Sequence, residues 1–148
     1  MERARHAGRR MAVLIVVGLS LAACADKATT EEGGGGAAKV EAVKGTDLSN
    51  VTLTKDAARR LDIQTEPVTA TGGGAGTQIP YGAVLYDPKG ETWAFVNVKA
   101  LTYVRAPITV DHIDGDVAFL TDGPPTGTKV VKVGAPELYG AEIGVGDE

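Results

Sequence analysis

The sequence predicts a mainly β domain over residues 50–148, a small barrel or sandwich with one short helix near 55–61. Three observations lead there. Apolar runs of strand length recur every 10–15 residues or about that. Turn chemistry separates them: Asp87-Pro88-Lys89-Gly90, Asp114-Gly115 and Asp122-Gly123-Pro124-Pro125. Only Lys55 to Leu61 carries apolar residues at helical spacing, at Ala57, Ala58 and Leu61. About 100 residues suffice to bury a modest core.

Residues 1–23 do not read as part of that domain. Arg3, Arg5, Arg9 and Arg10 make a basic start, Ala12 to Leu19 an apolar run, and Leu21-Ala22-Ala23 lead to Cys24. This is the layout of a secretory signal, shorter than the roughly 20 apolar residues of a spanning helix. Leu21-Ala22-Ala23-Cys24 resembles the bacterial lipobox. That resemblance implies cleavage before Cys24, acylation of its thiol and attachment to the lipid bilayer at the extracytoplasmic face of the cell membrane. Cys24 is the sole cysteine, so no intrachain disulfide is expected. Residues 24–49 are small and polar, with Gly33 to Gly36 in their midst, and are expected to form a flexible tether.

From residue 50 each element has a local reason. Asn50 to Leu53 reads as a strand, Thr54 as an N-cap and Lys55 to Leu61 as two helical turns. Ile63 to Val68 reads as a strand placed at an edge by Pro67. Residues 71–77 form a glycine-rich break. Ile79 to Val98 reads as a hairpin about Asp-Pro-Lys-Gly, a type I turn pattern. Leu101 to Val110, Asp116 to Thr121 and Lys129 to Val133 follow as strands, with a turn over Asp111 to Gly115 and a short helical turn near Pro136 to Tyr139. The expected core is Val84, Trp93, Phe95, Tyr103, Phe119 and Val131.

The residue inventory narrows the chemistry. Four of the 15 basic and one of the 19 acidic residues lie in 1–23, so the remainder holds 11 basic and 18 acidic side chains, a net charge of −7. Such a chain is a poor partner for a phosphate backbone, and nucleic acid is not expected. His112 is the single histidine after residue 23, and no serine follows Ser49. A zinc or copper site within one chain and a serine triad therefore lack their parts. Asp111, Asp114 and Asp116, beside His112, are the candidate oxygen ligands for a hard cation. They lack the EF-hand spacing and the terminal Glu, and the reading preferred for them is as ordinary turn residues. No cofactor and no enzymatic activity are expected.

Five segments together resemble a known family. Thr52 to Val68, Ile79-Pro80-Tyr81-Gly82-Ala83-Val84, Glu91 to Val96, Tyr103 to Val110 and Asp122 to Val131 are similar, in order, to the membrane-proximal domain of periplasmic adaptor subunits of efflux transporters, the membrane fusion proteins. The resemblance implies a non-catalytic β domain that works through its surface, docked on a membrane transporter. Full adaptors insert a lipoyl-like domain, a helical hairpin and a β-barrel before the Pro-x-x-Ala-Val strand; here Thr71 to Thr77 stands in their place. The expected function is a lipid-anchored accessory module for an efflux-type permease. A small-ligand or metal-ion-binding lipoprotein is the alternative.

Overall fold

The computed structural model describes residues 36–73 and 76–144. The segment expected to be a signal, with Leu21, Ala22, Ala23 and Cys24, lies outside the described residues. The chain orders as β1 (Ala38–Ala42), β2 (Ser49–Leu53), α1 (Lys55–Arg60), β3 (Gln64–Pro67), β4 (Thr69–Ala70), β5 (Thr77–Pro80), a 3₁₀ turn (Tyr81–Ala83), β6 (Leu85–Tyr86), β7 (Thr92–Lys99), β8 (Thr102–Pro107), β9 (Thr109–Asp114), β10 (Val117–Asp122), β11 (Lys129–Val133) and α2 (Ala135–Glu142). The fold is mainly β, as expected. Two antiparallel sheets form and neither closes into a barrel: β1-β2-β8-β7-β11-β3 with β6 on β7, and β4-β5-β10-β9.

Two strands run through both sheets. β3 continues past Val68 into β4, and β8 continues past Ile108 into β9. A proline precedes each corner residue, Pro67 and Pro107. Proline brings no N–H to a ladder, so pairing can lapse there and the strand can bend. The residue that follows is β-branched and buried, Val68 at 1% and Ile108 at 5% exposure. Backbone partners are kept at both corners. The Val68 N–H donates to the Thr128 carbonyl at 2.8 Å and the Ile108 N–H to the Thr92 carbonyl at 3.0 Å. The Thr92 hydroxyl then donates to the Ile108 carbonyl at 2.7 Å.

The first sheet is buried on both faces because its strands alternate with period two. On β7, Ala94 and Val96 point to the second sheet and Phe95 to the helices. On β11, Val130 and Val131 divide in the same way. Between the sheets lie Val68, Ile79, Ala83, Ile108, Ala118 and Leu120. On the helical side Val51, Leu53, Tyr103 and Leu85 pack against Ala57, Ala135 and Leu138. Phe95 is fully buried, and truncating such a ring costs about 3–5 kcal/mol. All of these residues lie between 51 and 138.

Thr54 caps α1: its backbone is extended, and its hydroxyl accepts from the Ala57 N–H at 3.1 Å. Such a cap contributes about 1 kcal/mol. The helix stops in a Schellman arrangement. The Asp62 N–H donates to the Arg59 carbonyl at 3.2 Å and the Ile63 N–H to the Ala58 carbonyl at 3.0 Å. The left-handed position, usually glycine, is Asp62 at φ 49°. Gly134 starts α2 at φ 91°, where a Cβ would stand 2.2 Å from Ile63 Cδ1. A glycine there lets the end of α1 meet the start of α2.

α2 is fastened by charge. Arg105 of β8 sits between the rings of Trp93 and Tyr139, its Cζ 4.7 and 5.1 Å from their centroids. Its Nε lies 2.6 Å from Glu142 Oε2, with the side chains 13% and 4% exposed. The N–H is not aimed along that line, so the contact is ionic without hydrogen-bond geometry. The other carboxylate oxygen accepts from the Ser49 N–H at 3.3 Å.

Several sequence expectations need correction. Part of the tether is structured: Ala38–Ala42 pairs with β2 as an edge strand, because Ala38 packs on the helical core. The hairpin over Ile79 to Val98 is real only for β6 and β7. Its first half crosses sheets through the 3₁₀ turn, where Gly82 lies so near the Lys132 carbonyl that a Cβ would stand 2.8 Å away. The strand from Leu101 bends at Ile108 and runs on to Asp114, so the turn shrinks to Gly115-Asp116. The last helical turn is a full helix, α2. Of the expected core, Phe95, Tyr103 and Val131 are buried and Val84 and Trp93 half-buried. Phe119 instead lies on the outer side of the second sheet, stacked on His112 at 4.4 Å.

Removing the Glu142 carboxylate strands the Arg105 charge between two rings. Glu142→Ala is expected to lower unfolding stability by about 3 kcal/mol, read as a reduced urea midpoint.

Candidate functional site

Asp111, His112 and Asp114 lie on β9, an outer strand of the second sheet, and Asp116 lies in the turn after it. The register slips between Phe119 and Leu120, which pair with His112 and Val110, so Asp111 stands out of the ladder as a bulge residue beside His112. His112 Nδ1 approaches Asp111 Oδ2 at 2.8 Å, and its ring is spent on Phe119. Among the described residues, no three His, Cys, Asp or Glu side chains come together as metal ligands. What the sequence placed in one loop is thus drawn out along β9 and the turn after it.

The Asp87 turn is an electrostatic centre of a structural kind. Asp87 Oδ1 accepts from the Lys89 and Glu91 N–H groups, both at 2.9 Å. Oδ2 faces Trp93 Nε1 at 3.3 Å. Desolvation pushes this carboxyl up, but the Glu91 and Lys89 amides and the indole outweigh it and leave its pKa below the ordinary carboxylate value. Burial alone raises the Tyr103 hydroxyl.

Two surfaces have the makings of contact sites. The first is aromatic. Tyr81 and Tyr86 are 42% and 52% exposed, whereas Trp93, Phe95, Tyr103, Phe119 and Tyr139 are buried or half-buried. Tyr86 is desolvated and has the Tyr81 hydroxyl beside it, and both effects raise its pKa. The 3₁₀ turn that carries Tyr81 abuts β11, where Val133 is 37% exposed. Exposed tyrosines are enriched among binding hot spots. Neither tyrosine stands out in the sequence: Ile79 to Tyr86 reads there as one strand, and only the 3₁₀ turn brings the pair to the surface.

The second surface is a groove of about 610 Å³ between α1 and the β7–β8 turn, lined by Lys55, Ala58, Arg59, Asp62, Ile63 and Leu101. Its floor is apolar and its rim charged. Asp62 and Leu101, the two non-glycine residues with positive φ among those described, both line it. A smaller cleft of about 330 Å³ at the seam of the sheets includes Glu66 and Lys132, which pair with each other at 2.9 Å.

The segments that resemble adaptor subunits fall on consecutive elements of this one domain. Residues 52–68 form β2 to β3, 79–84 the end of β5 and the 3₁₀ turn, 91–96 most of β7, 103–110 the β8–β9 corner and 122–131 the passage from β10 to β11. No protein-family model matches the chain, and neither a curated protein nor a solved structure matches it.

Two outcomes follow for the site residues. Asp62→Gly relieves the left-handed strain at the end of α1 and is expected to raise stability by about 0.5–1 kcal/mol, seen as a higher melting temperature. For Asp87, the folded-state pKa lies below the unfolded value, so its contribution is present above the ordinary 3.8 and fades as pH falls through the lower folded value. Denaturation midpoints measured from neutral to strongly acidic pH are expected to fall below that point, and less steeply in Asp87→Asn.

Proposed function

We propose that the protein is a lipid-anchored, extracytoplasmic module that docks on an efflux-type membrane transporter and acts without catalysis. The observation that carries this reading is the Tyr81–Tyr86 pair, exposed on a domain whose other aromatic side chains are covered. Large aromatic side chains left in water beside an aliphatic neighbour favour a protein partner. The resemblance to the adaptor membrane-proximal domain supplies the kind of partner, and Leu21-Ala22-Ala23-Cys24 supplies the anchor.

The β4–β5 link supports a role close to the membrane. Ala70 pairs with Thr77, and the Thr71 N–H donates to the Gly76 carbonyl at 3.3 Å. A short hairpin therefore occupies the place where full adaptors carry the domains that reach an outer-membrane channel. A chain without that extension contacts what is near its own anchor. Among the described residues no helix is long and apolar enough to cross a membrane, so attachment in this reading falls to Cys24.

A photo-crosslinking residue at position 86, in cells producing the full-length chain, tests the reading. Membrane adducts identified by mass spectrometry are expected to contain an integral membrane transporter. Tyr81→Ala is expected to cut their yield about tenfold, the scale of one hot-spot side chain. Cys24→Ser is expected to release the protein from the membrane fraction. Adducts that contain no transporter, from a chain still fractionating with membranes, would overturn the docking reading.

A further inference from the structure

The groove beside α1 lies where the tether reaches the domain. The Ala37 carbonyl accepts from the Thr54 N–H at 3.1 Å, one residue ahead of α1. On the other side, the Leu53 N–H donates to the Leu101 carbonyl at 2.9 Å, which sets the β7–β8 turn against the same end. The chain's entry, α1 and residues 99–101 are thus neighbours. From Cys24 to Ala37 a fully extended chain spans at most about 45 Å. Whatever surface holds Cys24 is within reach of this end of the domain.

That end is basic, although the chain from residue 24 onward carries a net charge of −7. Lys55, Arg59 and Arg60 are exposed on α1, and Lys99 on the turn. Two carboxylates face them. Asp56 pairs with Arg59, and Asp62 accepts from the Gln64 side-chain amide at 2.7 Å. Lys39 on β1 is engaged by Glu41 at 3.0 Å. Among the described residues Lys55, Arg60 and Lys99 have no counter-ion. The helix start is already closed by Thr54, so the side chains, and not the helix terminus, make the positive charge. Lys55 and Arg59 line the groove together with the apolar Ala58, Ile63 and Leu101, Arg60 follows Arg59 on α1, and Lys99 ends β7 two residues before Leu101.

We infer that this basic end seats on an anionic lipid surface, with Lys55, Arg60 and Lys99 on lipid phosphates and Leu101 toward the headgroup boundary. The inference rests on the anchor reading for Cys24. It goes beyond transporter docking because it names a second contact, with lipid, and it orients the domain. Basic side chains held near an anionic leaflet bind it by charge, and each binds only weakly. A tether converts that weak contact into an intramolecular one at high effective concentration. In this orientation the membrane takes the α1 end and the Tyr81–Tyr86 surface is left for the protein partner.

The test couples the chain from residue 24 onward, through Cys24, to a maleimide-bearing lipid in preformed vesicles. Coupling by chemistry makes the outcome independent of whether the cell acylates Cys24, which the mass of the mature protein reports separately. Amide hydrogen exchange is then compared on phosphatidylcholine vesicles with and without phosphatidylglycerol. Exchange in 55–61 and 99–102 is expected to slow about fivefold or more on the anionic vesicles and to recover in high salt. The charge-reversed triple variant Lys55→Glu, Arg60→Glu, Lys99→Glu is expected to lose the effect while its exchange in β7 and β11 stays unchanged. Equal exchange on both vesicles, or slowing that persists in high salt, would overturn the inference and leave the groove to an acidic or apolar protein surface.

Discussion

Two bent strands hold the domain together. A chain of this size cannot bury both faces of a six-stranded path with helices alone, since its helices are short. The second sheet solves this, and it stays in place because each of its strands continues into the first. β4 and β9 do so directly, through Val68 and Ile108, and β5 and β10 through short connections. Each direct corner has the same local logic: a proline that leaves the ladder, then a β-branched side chain driven inward. Both corner residues belong to one core cluster. The hydrophobic seam between the sheets is thus covalently cornered as well as packed.

The opposite face of the first sheet is closed differently. α2 buries only Ala135 and Leu138, a small apolar contribution for a helix. Its C-terminal end is held instead by Glu142 against Arg105, between Trp93 and Tyr139. Buried ion pairs of this kind contribute little net stability, but they penalise strongly any arrangement that leaves one partner alone. The pair therefore acts on position more than on energy. It fixes which way α2 lies across β2 and β7, and through Gly134 and Ile63 it fixes the end of α1.

The rigid frame leaves its two contact surfaces on separate elements. The tyrosine pair rides on the 3₁₀ turn and β6, where the chain crosses between sheets. The basic groove rides on α1 and the β7–β8 turn, beside the tether. In the proposed function one surface serves protein and the other lipid, and both suit a module that works close to its own anchor. What the two surfaces offer in that proposal is tyrosine rings on one and lysine and arginine charges beside apolar side chains on the other.

Local chemistry in the sequence was enough for the β class, the N-cap at Thr54, the Asp87 turn and the strand-forming segments. Each depends on residues within a few positions of one another. What the sequence hid is what depends on distance along the chain. Pro67 read as an edge signal, and β3 is indeed the last strand of its sheet; that Pro67 and Pro107 each precede a corner shows only with the second sheet in place. Asp111, Asp114 and Asp116 read as one tight loop, and β9, running on to Asp114, stretched them along a strand and its turn. Arg105 and Glu142 carry no local mark of a partnership, nor do Tyr81 and Tyr86 of exposure. Which apolar residue is covered, and which charge is paired, follows from what packs against it, and in a two-sheet fold those neighbours come from far along the chain.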